Sequence, residues 1–150
     1  MAQPHDDRPI VVGVDGSESS KIALSWAVRQ AGLEGAPVQA VIAWTFPAYY
    51  GWAPPISDQF DFGSNARTVV EQTIKEVLGE HPPVPLSVAV VEGNAAQALV
   101  DASRSARLLV VGNRGHGGFS EALLGSVSQH CTHHAACPVI VIRDSNVRNA

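Results

Sequence analysis

A glycine-rich segment between residues 112 and 128 (GNRGHGGFSEALLGSVS) has the composition of an anion-binding loop. Its glycines Gly112, Gly115 and Gly125 permit positive φ angles and let the backbone approach an anion closely. Ser126 adds a hydroxyl at the predicted start of a helix, where free backbone N–H groups bind phosphate without any lysine. These N–H groups belong to Ser126, Val127 and Ser128. The segment therefore predicts a phosphate site, and a loop whose glycines serve only tight turns is the alternative.

The segment matches neither of the two common nucleotide-binding motifs. The P-loop pattern G-x4-G-K-[ST] is absent, and no G-x-G-x-x-G follows the first predicted strand. Arg114 and His116 lie inside the segment, and a guanidinium in particular suits phosphate oxygens. Both side chains are equally compatible with simple surface exposure, and Ser128 is compatible with a purely structural role. We therefore treat them as secondary candidates.

A cluster of histidines and cysteines follows between residues 130 and 137. His130 and His134 stand at positions i and i+4 of a predicted helix, the spacing of a zinc-binding histidine pair. No further ligand has a recognisable spacing, and Cys131 and Cys137 do not form a zinc-knuckle pattern. Histidines near a helix C-terminus complement its dipole, and cysteines pack as small apolar residues. The sequence therefore predicts no metal site here.

Five short apolar runs predict the strands that would position these residues. The first and the fourth run are continuous and apolar at almost every position, which is typical of strands buried on both faces of a parallel sheet. The five runs lie at residues 9–14, 38–44, 86–91, 107–111 and 139–142.

Helical periodicity and capping residues predict four helices between the strands. Ser17 and Asn94 are the predicted N-caps of the first and third helices. Ser126 and Gln129 have the spacing of a capping box at the start of the fourth. The helices are predicted at residues 18–33, 66–77, 94–102 and 126–135.

The alternation of strands and helices predicts an α/β fold: a single-domain, open, doubly wound parallel five-stranded sheet with helices on both faces. Right-handed crossovers favour the strand order 3-2-1-4-5. The winding then reverses between strands 1 and 4, and ligands bind beyond the C-terminal ends of strands at such a switch point. Asp15-Gly16-Ser17 follows strand 1, and residues 112–115 follow strand 4. The predicted phosphate site and the predicted switch point therefore coincide.

Length and charge limit the class of protein. The chain of 150 residues fits one domain, and its 16% charged and 45% hydrophobic residues exclude a disordered chain or a coiled coil. Ten basic and 14 acidic residues give a net charge of −4, without a basic patch for nucleic acid. No apolar run approaches the ~20 residues of a membrane span, and the N-terminus lacks signal-peptide features. We expect a soluble, cytoplasmic protein with one domain at 9–143, a flexible N-terminus (1–8) and a flexible tail (144–150).

On these residues the chain resembles the universal stress protein family over nearly its whole length. The ATP-binding subgroup carries the motif G-x2-G-x9-G-[ST], which Gly112, Gly115, Gly125 and Ser126 match. The opening VVGVDGSESS and the closing CPVIVIR are similar to the family's first and last strands. The variant resembles the actinobacterial type, whose domains occur singly and in tandem. The resemblance implies a Rossmann-like fold of the adenine nucleotide alpha hydrolase type and binding of ATP with Mg2+.

The resemblance also implies a role for each matching position. Asp15 would accept hydrogen bonds from the ribose or the adenine, and the backbone of Ala43 and Trp44 would meet the adenine edge. Gly112 would lie against the ribose. The other implied ATP-binding positions are Gly16, Val111, Arg114, Gly115, Gly125, Ser126, Val127 and Ser128. From the residues alone, an N-terminal cap for the first helix is the alternative role of Asp15.

Three functions are compatible with these features. The favoured one is a nucleotide-dependent regulator of a stress response. A weak ATPase or an ATP-cleaving enzyme of the same fold is the second. No paired general acid and base is visible, and Glu121 is the only carboxylate of the glycine-rich loop, so at most slow hydrolysis is expected. A cyclic AMP-binding protein or an interaction module without nucleotide is the third.

Two surfaces have predicted partners. The fifth strand is a sheet edge that is apolar and uncharged, and the preceding Pro138 leaves its later amides free to pair. Its residues Val139, Ile140, Val141 and Ile142 predict a homodimer, which the resemblance also implies. In a tandem protein, the second domain would occupy this edge instead. The aromatic residues of segment 45–62 predict either a cover or partner surface, or packing against the second helix.

Overall fold

The computed structural model describes residues 6–45, 62–113 and 125–143. Its strands are β1 (Ile10–Gly13), β2 (Val38–Trp44), β3 (Leu86–Glu92), β4 (Leu108–Gly112) and β5 (Val139–Ile142). Its helices are α1 (Glu18–Glu34), α2 (Phe62–Leu78), α3 (Ala95–Ser103) and α4 (Ser126–His134). All neighbouring strands pair in parallel, in the order β3-β2-β1-β4-β5. The predicted fold class and strand order are confirmed.

The central strands β1 and β4 are buried on both faces of the sheet. Ile10, Val12 and Val110 pack in the cluster that contains the inner faces of α1 and α2. Val11 and Leu109 point the other way, into the cluster that contains α3 and α4. Each of these five side chains is 0% exposed. Burial of one such side chain contributes about 1.5–3 kcal/mol, so the apolar runs that predicted these strands also hold the four helices against the sheet.

The helix ends agree with the predicted caps at two of three positions. Ser17 accepts a hydrogen bond from the Ser20 N–H (3.2 Å) and caps α1, and Asn94 accepts one from the Gln97 N–H (3.0 Å) and caps α3. The predicted capping box at α4 is wrong. Ser126 is already the first helical residue, and Gly125, which has no side chain to accept a bond, stands at the N-cap.

A network of charged side chains connects Asp6 and Arg8 with the residue before β4 and with the C-terminal end of α1. Arg107, just before β4, donates to the Asp6 carbonyl (3.2 Å) and to the Glu34 carboxylate (3.2 Å). Hydrogen bonds from Arg8 keep the pKa of Asp6 well below its usual range. Asp6 and Arg8 belong to segment 1–8, which is predicted to be a flexible N-terminus. No helix in the described parts of the chain is long and apolar enough to cross a membrane.

Candidate functional site

Three elements meet beyond the carboxyl ends of β1 and β4. The hydroxyl of Ser19, in the first turn of α1, donates to Oδ1 of Asn113, the residue that follows β4 (3.3 Å). The N–H of Gly125, at the start of α4, donates to the Asn113 carbonyl (2.7 Å). The N-terminal ends of α1 and α4 therefore both lie beside the end of β4. This is the switch-point crevice that the strand order predicts.

The residues after β1 form a tight turn into α1. The Asp15 carboxylate accepts a hydrogen bond from the Ser17 N–H (2.9 Å), and Gly16 between them has a φ of 84°, which favours glycine. The Asp15 N–H in turn donates to the Ser20 hydroxyl (3.3 Å). Ser17, not Asp15, is the helix cap, so the alternative role predicted for Asp15 is wrong in this respect. The carboxylate is half-buried at the crevice and braces the turn that leads into the helix.

Gly112, the last residue of β4, allows α1 to approach the sheet closely. A Cβ at this position would lie 2.2 Å from the Ser19 hydroxyl oxygen and 2.9 Å from the Ser19 carbonyl carbon. The positive φ that the sequence suggested for this residue is not the reason for the glycine, because Gly112 is not among the positive-φ glycines of the described chain. The glycine is needed for packing between strand and helix. That packing places the α1 N-terminus at the crevice.

Asn113 is a site residue that the sequence analysis did not single out. It is 3% exposed, and its N–H donates to the Ile142 carbonyl at the end of β5 (2.9 Å). With its bonds to Ser19 and Gly125, this one residue connects α1, α4 and β5. The only local signal was a polar side chain directly after a buried strand, between two glycines of the motif.

Helix α4 begins with amides that no side chain caps in the described structure. Gly125 at the N-cap has a φ of −63° and a ψ of 161°, an extended geometry that any residue adopts. Ser126 is exposed at the first helical position, and Val127 is half-buried. Ser128 is buried, and its hydroxyl donates to the Gly112 carbonyl. Its side chain therefore has a structural role, because it connects α4 with β4. The helix thereby presents backbone N–H groups at the crevice.

Strand β2 carries backbone groups past the end of β1. The Val14 N–H donates to the Val41 carbonyl (2.9 Å), so the Val41 backbone faces β1. Strand residues two apart point the same way, and the Ala43 N–H and C=O therefore face the crevice beyond Gly13. The Trp44 backbone faces β3, where its carbonyl accepts a bond from the Gly93 N–H (2.8 Å). Of the predicted pair, only Ala43 has backbone groups turned towards the crevice.

The remaining predicted positions divide into two groups. Val111 is 3% exposed and packs among the side chains of the α3 and α4 face, so only its backbone lies near the crevice. Arg114, Gly115, His116 and Glu121 lie outside the described residues, as does segment 46–61 with most of the predicted aromatic surface. At the borders of that segment, the rings of Trp44 and Phe62 stack with centroids 6.3 Å apart.

The histidine and cysteine cluster lies at the other end of α4. Cys131 is 0% exposed in the core, and burial raises the pKa of its thiol to about 11. Burial also raises the pKa of Cys137. Both thiols pack in or against the apolar cluster below α4, as predicted. Within residues 6–45, 62–113 and 125–143, no three or more histidine, cysteine or acidic side chains form a metal-holding group.

Sequence comparison relates the chain to one family. The model of the universal stress protein family matches residues 8–143. A universal stress protein of Mycolicibacterium smegmatis is 36% identical over 152 aligned residues, which cover 95% of this chain and 50% of that protein. One of Mycobacterium tuberculosis is 35% identical over 143 residues, covering 95% and 48% respectively. The chain spans about half the length of these curated relatives.

Solved structures share the fold. UspA from Lactobacillus plantarum aligns with a TM-score of 0.73 at 24% identity, over 94% of this chain and 100% of that one. A universal stress protein in complex with cAMP aligns with a TM-score of 0.68 at 24% identity, over 92% and 98%. An Arabidopsis thaliana family protein with AMP bound aligns with a TM-score of 0.59 at 20% identity, over 95% and 96%. At these identities the likeness supports the architecture alone.

The close approach at Gly112 predicts a measurable loss of stability for Gly112→Ala. The added methyl group overlaps the Ser19 backbone, so the free energy of unfolding should fall by about 1–3 kcal/mol in urea titrations. Gly32→Ala is the matched control, because a Cβ there meets only Val84 Cγ1 at 3.9 Å. It should keep or raise stability, by up to about 1 kcal/mol, because alanine favours helix. Equal stability of the Gly112→Ala variant and the wild type would contradict the packing role.

Proposed function

The chain belongs to the universal stress protein family, and from this premise we propose that it binds an adenine nucleotide, ATP in particular, in the crevice between β1 and β4. The single observation that carries the proposal is the placement of the α4 N-terminus. Gly125 donates to the carbonyl of Asn113 at the end of β4, and α4 begins there without a side-chain cap. Amides of this kind bind phosphate oxygens.

The nucleoside would lie on the β1 and β2 side of the crevice. The Ala43 N–H and C=O provide one donor and one acceptor, which suits the alternating edge of adenine. Asp15 lies at the end of β1, where its carboxylate can accept from a ribose hydroxyl or from an exocyclic amine. One of its oxygens already accepts from the Ser17 N–H, which fixes the orientation of the group. Gly16 and the Val111 backbone would complete this wall.

The phosphates would lie on the β4 side, at the start of α4. The amides of Ser126 and Val127 are the described donors, with the exposed Ser126 hydroxyl beside them. The Ser128 hydroxyl is already bound to the Gly112 carbonyl, so its share in the site would be the backbone N–H. Arg114 and Gly115 remain proposed phosphate contacts on the strength of the motif alone.

The choice among adenine nucleotides rests on the motif and on the neighbours. Two of the similar solved structures are complexes, one with cAMP and one with AMP. We propose that this chain binds the adenosine moiety that these ligands share, because the contacts at Ala43 and Asp15 would be available to every adenine nucleotide. The phosphate motif favours ATP. Mg2+ would bind mainly through the phosphates and water, because the described crevice offers the hard ion a single carboxylate, Asp15.

The proposed role is regulation in a stress response, with at most slow ATP hydrolysis. Efficient phosphoryl transfer needs a positioned nucleophile, a metal and charge stabilisation in line with the leaving group. In the described part of the crevice, Asp15 is the carboxylate, and it braces the turn into α1 on the nucleoside side. A weak ATPase remains the second candidate, and cyclic AMP binding the third.

We also propose that the domain associates through β5. Among the residues that the structure describes, Val139–Ile142 pairs with β4 alone, and all four of its side chains are half-buried. Its apolar residues point alternately into the two core clusters, so the strand is firmly packed while its outer edge carries peptide groups for another strand. A two-fold copy would bring β5 beside itself as an antiparallel pair. In a tandem protein, the neighbouring domain would take the same place.

Substitutions at Asp15 and Gly125 should weaken ATP binding. Asp15→Ala removes the nucleoside acceptor, and Gly125→Ala places a methyl group where the phosphate must approach the backbone. Each should cost about 1–3 kcal/mol of binding free energy, which is roughly a 5- to 150-fold rise in Kd by isothermal titration calorimetry.

The controls separate binding from folding at both positions. Gly125→Ala fits the extended backbone at the N-cap, where alanine is a poorer residue than glycine, so the free energy of unfolding should fall by no more than about 1 kcal/mol. Asp15→Asn keeps an oxygen that can accept from the Ser17 N–H and should preserve the turn. Wild-type affinity in both Asp15→Ala and Gly125→Ala would refute this site.

The purified protein should hydrolyse ATP at well below about 1 per second, the low end of ordinary enzymes. The reason is that the described crevice supplies phosphate donors without a base placed at the phosphates. Steady-state phosphate release with Mg2+ is the measurement. A rate above that limit, retained after repeated purification and lost in Gly125→Ala, would replace the regulator by an enzyme.

Val141→Lys should favour monomers. It puts a charge on the face of β5 that packs against the α3 and α4 cluster, directly beside the proposed seam, and Val141→Thr is the control with the same β-branched shape. Light scattering at tens of micromolar, roughly the range of a modest interface, should find a dimer for the wild type and for Val141→Thr. A monomeric wild type would contradict the proposed interface.

A further inference from the structure

An exposed pair of imidazoles stands on the C-terminal half of α4. His130 and His134 lie one helical turn apart on the same face, with ring centroids 4.5 Å apart and ring planes inclined by 41°. Both side chains are exposed. In the described structure, no hydrogen bond and no ion pair occupies either ring. The four ring nitrogens of the pair are therefore available to a ligand from solution.

The separation of the two rings suits one transition-metal ion. A metal about 2.0 Å from one nitrogen of each imidazole, with the two bonds at a right angle, puts the ring centroids about 4.5 Å apart. The observed centroid separation is 4.5 Å. The backbone of α4 already holds both residues at this spacing, so the second imidazole binds at a high effective concentration once the first has bound.

We propose that His130 and His134 chelate one exposed divalent transition-metal ion, with Cu2+ preferred over Ni2+ and Zn2+. Imidazole suits all three ions, and affinity for a given nitrogen site rises to its maximum at Cu2+. Water completes the coordination. His133 is not a third ligand of the same chelate, because its ring centroid lies 6.3 Å from that of His134 and on another side of the helix. Cys131 is excluded by its burial in the core.

This site is distinct from the proposed nucleotide crevice. At about 1.5 Å of rise per residue, His134 lies about 12 Å along the helix axis from Ser126. An ion across His130 and His134 joins successive turns of α4 and so stabilises the folded helix over the unfolded chain. No metal site was predicted here from the sequence, because the patterns of zinc sites require three or four protein ligands. A two-imidazole chelate with water needs only the spacing that the structure provides.

The test is a titration of the untagged 150-residue chain with CuCl2 at pH 7.4 in a weakly coordinating buffer. Wild-type protein should bind one Cu2+ per chain at this site, and His130→Ala and His134→Ala should each weaken that binding at least about tenfold, because the chelate is lost. The matched controls are His133→Ala on the same helix and His81→Ala in the connection before β3, both exposed in the structure. Both should bind Cu2+ as the wild type does.

A second measurement reports the ligands directly. Electron paramagnetic resonance of the Cu2+ complex should show two coordinated imidazole nitrogens in the wild type and one or none in His134→Ala. Alanine on an exposed helical face keeps α4 folded, which far-ultraviolet circular dichroism checks. Undiminished Cu2+ binding by His130→Ala and His134→Ala would overturn the proposal, as would an equal loss in His133→Ala or His81→Ala. ATP affinity is measured separately, so failure of this site leaves the nucleotide proposal intact.

Discussion

The hydrogen bonds of Asn113 determine how the ends of three elements meet. Its N–H binds the carbonyl of Ile142 at the end of β5, its C=O accepts from Gly125 at the start of α4, and its side chain accepts from Ser19 in α1. The residue is buried, and an unmatched polar group in such a place would cost about 1–3 kcal/mol. Each bond is therefore strongly favoured, and together they fix the geometry of the crevice beyond β4.

The crevice also depends on two glycines near Asn113 that have no side chain. Gly112 has no side chain, and only for that reason can the first turn of α1 lie against the end of β4. Gly125 has no side chain either, so the first amides of α4 have no cap of their own in the described structure. Ser128 ties the same helix to the Gly112 carbonyl. The backbone donors are thus held rigidly by neighbouring polar contacts and stay available to an anion, which is the physical basis for proposing a phosphate site.

Local sequence patterns were sufficient to predict those features of the fold that depend on residues close together in the chain. The apolar runs at 9–14 and 107–111 predicted the two central strands, which are buried on both faces. Ser17 and Asn94 were recognised as helix caps because a cap acts within three residues. The pattern at Ser126 gave a wrong prediction, because a capping box requires the serine at the N-cap. The N-cap is instead Gly125, whose backbone is extended, and Ser126 is the first helical residue. The direction of the Ala43 backbone needed the register of β1 against β2, which no single strand contains. Asn113 was missed because its side-chain partner, Ser19, is 94 residues away in the chain.

The central claim is that the crevice selects the adenine base and holds the phosphates at α4. The most direct measurement is retention from a mixture: the purified protein is equilibrated with equal amounts of ATP, GTP, CTP and UTP with Mg2+, desalted, denatured, and the released nucleotides are identified by mass spectrometry. We expect release of ATP in a near-stoichiometric amount with little of the other three. Release of no nucleotide, or of all four in similar amounts, would contradict it.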